Sequence, residues 1–222
     1  MKIFKYIIDI LVCILLVILS IKKGGFYESD IEYFNICIYL LFGIYIFINM
    51  LYFIKSKFKF SINNLIILIK KNIFKILFFI LFIAYLFAVI YDKTANITDS
   101  INEALRYFVI FAIFAMSSNK KFYGITLIVI GVMQVIIGID GIGMKYLTPI
   151  LSMFDSSYLL NEIRLSGTIQ YANTVAILFV ICNIYMLNKL DKRLYFCLFN
   201  ILNIGLLLTN SRLAICIYLI AI

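Results

Sequence analysis

The residues with the greatest chemical potential form one stretch, Arg164 to Asn173 (RLSGTIQYAN), which sets a cation, a glycine and several hydroxyls immediately before a long apolar run. This is the composition of an anion site at a helix N-terminus. There the first backbone N–H groups lack partners within the helix, and the aligned peptide dipoles concentrate partial positive charge. Arg164 adds a full charge, Gly167 lets the backbone approach a bound group, and Ser166 and Thr168 can cap the helix or donate to an oxyanion. The same residues also suit a plainer role, an arginine that snorkels to lipid headgroups beside a small-residue cap. A second stretch, LLLTNSRLA, repeats the pattern: Thr209, Asn210 and Ser211 are cap-type residues, and Arg212 opens another apolar run.

The elements that must position these residues follow from composition. Of 222 residues, 65% are hydrophobic and 14% charged, with one Pro, no Trp and no His. A soluble domain is about half apolar, and here the excess arrives in long runs, which predicts an all-α, polytopic transmembrane helical bundle. The runs cover residues 6–21, 33–54, 76–91, 105–116, 122–139, 171–187 and 194–208, and another begins at 213, giving about seven to eight spans. The first is read as a retained span, since IKKGGFYESD follows it without a small-residue cleavage site. Ten residues after Arg212 reach only about half a bilayer core, so the chain reads as incomplete at its C-terminus.

Between the runs, the basic segment 55–75 reads as a cytoplasmic loop whose apolar residues between lysines make an interfacial helix meeting anionic membrane lipid, with no nucleic acid as partner. The polar-to-amphipathic stretch 140–163, which holds Pro149, predicts a short surface helix over the outer mouth of the bundle. Inside the spans, Asp9 is expected to snorkel to the interface, and Gln134, Asn200 and Asn203 to hydrogen-bond between helices. Cys13, Cys37, Cys182, Cys197 and Cys216 lie in apolar runs without metal-ligand spacing, so they read as packing residues, with no disulfide and no metal.

Charge sets the orientation. With the N-terminus cytoplasmic, Lys2, Lys5, Lys55, Lys57, Lys59, Lys70, Lys71, Lys75, Lys120, Lys121, Lys189, Lys192 and Arg193 stand against the single acid Asp191. The opposite loops hold Lys22, Lys23, Lys93, Arg106, Lys145, Arg164 and Arg212, together with nine acids. The asymmetry follows the positive-inside rule and puts Arg164 and Arg212 outside. Two helix-end anion sites on one side of a bundle can clamp a diphosphate, and a carboxylate or a lipid phosphate fits as well.

RLSGTIQYAN and LLLTNSRLA, each bordering an apolar span, resemble the motifs of the O-antigen ligase and Wzy-type O-antigen polymerase family of bacterial membrane glycosyltransferases. The resemblance covers roughly residues 164–222; residues 1–163, the N-terminal transmembrane bundle, agree in general layout only. It implies a multi-pass protein of the bacterial cytoplasmic membrane that uses no cofactor, nucleotide sugar or metal. Its partners would be a polyprenyl-diphosphate-linked glycan and an acceptor glycan or glycolipid, joined at the outer face for surface polysaccharide synthesis. By the same resemblance Arg164 is a diphosphate-binding cation, Gly167 and Asn173 shape the turn and helix start, and Arg212 with Ser211 belongs to the core motif. The family's general base is a histidine in a large outer loop, which this sequence lacks. Asp140, Asp155 and Glu162 are the outer carboxylates nearest that role, and no spacing singles one out. Two other classes remain open at this stage: a polytopic transporter, although no ionisable residue falls near a midplane, and a non-catalytic membrane scaffold.

Overall fold

The computed structural model describes residues 2–22, 28–55, 72–91, 97–143, 145–154, 164–169, 171–187, 189–190 and 192–221. Among them the regular structure is helical, without a strand. The helices are α1 (Lys2–Ile21), α2 (Glu28–Lys55), α3 (Ile73–Tyr91), α4 (Ile97–Met116), α5 (Lys120–Ile142), α6 (Thr148–Phe154), α7 (Ala172–Leu187), α8 (Arg193–Leu208) and α9 (Arg212–Ala221), with a 3-10 turn at Gly167–Ile169.

Among the described residues three helical segments are long and apolar enough to cross a membrane: Ile3–Ile21, Ile31–Tyr52 and Lys120–Ile142. This fits a membrane protein, because a helix satisfies its backbone polar groups internally where water cannot. The remaining apolar helices are shorter, at Ile73–Phe87, Ala172–Leu187, Arg193–Leu208 and Arg212–Ala221. The 16 residues of α7 or α8 span about 24 Å, less than a hydrocarbon core of about 30 Å. Length and composition thus mark three spans where the sequence pattern suggested seven to eight.

Two boundaries move outward. Helix α2 begins at Glu28, and α4 at Ile97, eight residues before the expected Leu105. The polar start of α4 is helical rather than loop, and an ion pair one turn apart, Arg106 to Glu103 at 2.5 Å, lies along it. The basic segment 56–71 and the carboxylates Asp155 and Glu162 lie outside the described residues.

The chain forms two compact units, Met1–Val12 with Glu32–Ser118, and Cys13–Ile31 with Asn119–Ile222. In the first, α3 and α4 pair along an aromatic ladder: Phe78 with Phe114, Phe79 with Phe111, Phe82 with Phe108 and Tyr85 with Tyr107, at centroid distances of 4.9, 5.1, 4.9 and 4.3 Å. Phe42 of α2 joins through Phe108 and Phe111, and the Tyr39 hydroxyl donates to Leu105 O at 3.3 Å. Asp9 belongs to this unit and is fully buried. Its carboxylate accepts from the Ser118 N–H at 3.1 Å and from the Ser118 hydroxyl. The expected snorkelling is therefore replaced by an internal cap, because the protein offers donors where lipid would not.

The second unit packs α5 against α7 and α8 through small residues. A Cβ at Gly124 would overlap the Tyr185 ring, one at Gly131 would lie 3.0 Å from Leu202 and 3.2 Å from Cys182, and one at Gly138 would overlap Leu165. Gly205 of α8 is equally tight, 2.5 Å from Val135 and 3.0 Å from Phe179 by the same construction. Gly124, Gly131 and Gly138 of α5 recur every seven residues and so fall on one face, which lets neighbouring backbones approach closely. Phe179, Val175, Ala176, Cys182, Met186, Leu202 and Leu206 fill the centre. The short helix expected in 140–163 is α6, with Pro149 in its first turn, where a missing N–H is harmless, and its Leu151 packs against Ile137 of α5. Cys13 and Cys182 are buried, whereas Cys197 and Cys216 are exposed on apolar helix surfaces rather than packed inside.

Candidate functional site at the α8–α9 turn

The two chemically promising stretches meet at one corner of the second unit. Helix α8 ends at Leu208, and Thr209 folds back so that its hydroxyl donates to Leu206 O at 2.6 Å. Asn210 takes φ 51°, a left-handed conformation that asparagine tolerates better than most residues. Ser211 then stands at the N-cap of α9, its carbonyl accepting from the Ile215 N–H at 3.1 Å. Of the three residues expected to open the helix, Ser211 does so, whereas Thr209 closes α8 as its C-cap and Asn210 forms the turn between.

Arg164 comes to the turn from the other stretch. Its Nε donates to Thr209 O at 2.8 Å, and Nη2 donates to Asn210 O at 3.3 Å and to Asn173 Oδ1 at 3.0 Å. The neighbouring Leu165 N–H donates to Leu208 O at 3.0 Å. The guanidinium thus joins the C-terminal end of α8, where exposed carbonyls favour a cation, to the first turn of α7. Asn173 shapes the corner as an acceptor for Arg164. Arg212 is the first residue of α9 and is exposed, and among the described residues no hydrogen bond or ion pair holds its guanidinium. It follows Asn210 by two residues, a chain distance of at most about 7 Å.

Ser166, Gly167 and Thr168 do not behave as a cap. Helix α7 starts at Ala172, and the carbonyl of Tyr171 accepts from the Val175 N–H at 3.1 Å. Thr168 is fully buried instead, and its N–H donates to Gln134 Oε1 at 2.7 Å. Gln134 Nε2 donates to Thr168 Oγ1 at 2.6 Å, and that hydroxyl contacts Ser20 O. The expectation that Thr168 donates to a bound oxyanion gives way to this internal network, because a hydroxyl at that depth must find a protein partner. Gly167 has φ 53°, and a Cβ there would overlap Gln134 Oε1, so the glycine serves a close approach to α5 rather than to a ligand. Ser166 is 2% exposed, and its hydroxyl has no partner among the described residues.

The carboxylate of Asp140 accepts from the Tyr146 N–H at 3.0 Å and the Leu147 N–H at 2.8 Å, an arrangement that caps the chain into α6. Of the amides within apolar helices, Gln134 bonds across elements as expected, and Asn183 Nδ2 donates to Asn203 Oδ1 at 2.9 Å. Asn200 differs from Asn203: it is exposed and donates to Phe196 O of its own helix at 2.9 Å. Gln134 and Thr209 are the site-building residues that sequence pattern did not assign to the site. The only local signal for Thr209 was its cap-type neighbourhood, and for Gln134 an amide within an apolar run.

This arrangement can hold an anion. Arg212 is the first residue of α9, where the first-turn N–H groups have no partner within the helix, and Arg164 is held on the carbonyls of Thr209 and Asn210 just before it. No family model, curated protein or solved structure matches the chain.

Proposed function

We propose that the chain is part of a membrane glycosyltransferase of the O-antigen ligase and polymerase type, acting on a polyprenyl-diphosphate-linked glycan at the outer face of the bacterial cytoplasmic membrane. In this reading α3, α4, α7, α8 and α9 join the three long helices in a polytopic bundle of about seven to eight spans with a cytoplasmic N-terminus. The observation that carries it is the seating of Arg164 on Thr209 O, Asn210 O and Asn173, which brings the two arginine-bearing stretches into one corner. Arg212 and the start of α9 bind the diphosphate, while Arg164 organises the corner and adds its charge.

The acceptor hydroxyl attacks the anomeric carbon, the bond from that carbon to the diphosphate oxygen breaks, and the polyprenyl diphosphate departs with the electron pair. Cations and helix-end N–H groups stabilise that developing charge and lower the barrier. The acceptor's proton passes to a general base, a task for which Asp140 is poorly placed because both of its oxygens accept from backbone N–H groups.

The test is Arg212→Ala in the complete gene, in the cells that encode it. Surface polysaccharide is expected to fall by about 100-fold, the scale on which one transition-state anion contact acts, with the protein still accumulating in the membrane. Normal polysaccharide from both Arg212→Ala and Arg164→Ala would remove the proposal in favour of a scaffold. Solute uptake into proteoliposomes, with no polyprenyl-linked glycan consumed, would indicate a transporter.

A further inference from the structure

The segment before α7 does not lie on top of its bundle; it enters it. Leu165 occupies the space left by Gly138, Gly167 lies against the Gln134 carbonyl, and Thr168 reaches the Gln134 side chain. Counted back from Ile142 at about 1.5 Å per residue, Gly138 is about 6 Å and Gln134 about 12 Å along α5. The chain therefore dips by more than a helical turn before α7 starts. Irregular backbone at such depth persists only where protein satisfies its polar groups.

Gln134 supplies that satisfaction. Its amide oxygen takes the Thr168 N–H, and its amide nitrogen donates to the Thr168 hydroxyl and, at 3.4 Å, to Ser20 O. Gln134 and Thr168 are both completely buried, so water cannot replace either bond. At its other end the same segment is tied to α8 by Leu165 N–H to Leu208 O, and the next residue back is Arg164. Three residues thus separate a buried clamp at Thr168 from the arginine of the corner.

We infer that Gln134 is a positioning residue: by clamping Thr168 it sets the depth and register of residues 164–169 and so seats Arg164 on the Thr209 and Asn210 carbonyls. The consequence for activity rests on the anion-binding reading of that corner, whereas the clamp itself does not. Replacing Gln134 with leucine nearly keeps the volume and removes its bonds to Thr168 and to Ser20 O. The Thr168 N–H is then buried without a partner, and the segment gains by leaving.

The test uses the full chain in lipid nanodiscs with Cys197 and Cys216 changed to serine and a cysteine pair at Leu165 and Leu208. Disulfide formation by that pair reports the seating of the segment directly. It is expected to proceed readily with Gln134 in place and in Thr168→Ser, which keeps the hydroxyl. It should be at least about tenfold slower in Gln134→Leu and Thr168→Val, the effect of one unpaired buried group. Thermal unfolding of each variant separates a displaced segment from a lost fold, and if Gln134→Leu does not accumulate, the Thr168→Val and Thr168→Ser pair decides alone. Equal rates in Thr168→Val and Thr168→Ser overturn the inference. Binding of farnesyl diphosphate to the same nanodiscs reports the functional reading separately. Slowed cross-linking in Thr168→Val with no binding by the parent chain leaves the clamp standing and removes the anion site.

Discussion

The two units hold apolar helices together by different means. Between α3 and α4, four aromatic pairs meet in antiparallel order, two stacked and two tilted, and Phe42 leans on them from α2. Between α5, α7 and α8 the contacts are glycines facing large side chains, with amides bonded across. Broad aromatic faces attract over a range of offsets, so a ladder of rings tolerates small slips. A glycine accepts its neighbour at one register only, since a shift of one residue puts a side chain where none fits. The candidate site lies in the unit with the stricter packing, where Arg164 and the α8–α9 turn must meet to within hydrogen-bond distance.

The largest expected effect strikes that strictness. Gly205→Leu drives a side chain into Val135 and Phe179, both buried, and should destabilise the second unit by about 3 kcal/mol or somewhat more. Thermal unfolding in detergent would show it as loss of the folded fraction, and wild-type stability would mean that this packing is slack. Next comes the aromatic unit. Phe108→Ala removes a ring that meets Tyr39, Phe42, Phe82 and Phe111, yet Phe108 is only half-buried, so about 2 kcal/mol is expected. A loss as large as that of Gly205→Leu would erase the contrast between the units. The smallest effect belongs to Asn183→Leu. Asn183 has one amide bond to Asn203, while its Oδ1 is buried without a partner, so the change should cost at most about 0.6 kcal/mol. A cost several times larger, measured by the same unfolding, would show that the amide pair rather than the glycines sets the register.

Much of the helical layout was legible in the sequence, because each apolar run became a helix. The ends were less so: the apolar run begins at Leu105, yet the polar ITDSINEA before it forms the start of α4, since polar residues extend a helix as readily as they leave one. At the site, the pairing of a helix start with Arg212 was legible from TNSR, where cap chemistry is local. The role of Thr168 was not. Threonine beside glycine ahead of an apolar run has the composition of a cap, and only its burial against Gln134 makes it an anchor. Asp9 was misread for the same reason, its partner Ser118 being 109 residues away.

By itself the sequence determined where the helices form and that the chain suits a membrane, because apolar runs and their breaks act on neighbouring residues and the backbone in lipid has few alternatives to a helix. Tertiary structure alone decided the dip at 164–169, the clamp between Gln134 and Thr168 and the partners of Arg164. Apart from the bond of Arg164 to Asn173, nine positions away, those contacts join residues 34 to 46 positions apart, and the Thr168 bond to Ser20 spans 148. No local pattern encodes such pairs, since each depends on which faces of separate helices are brought together by packing.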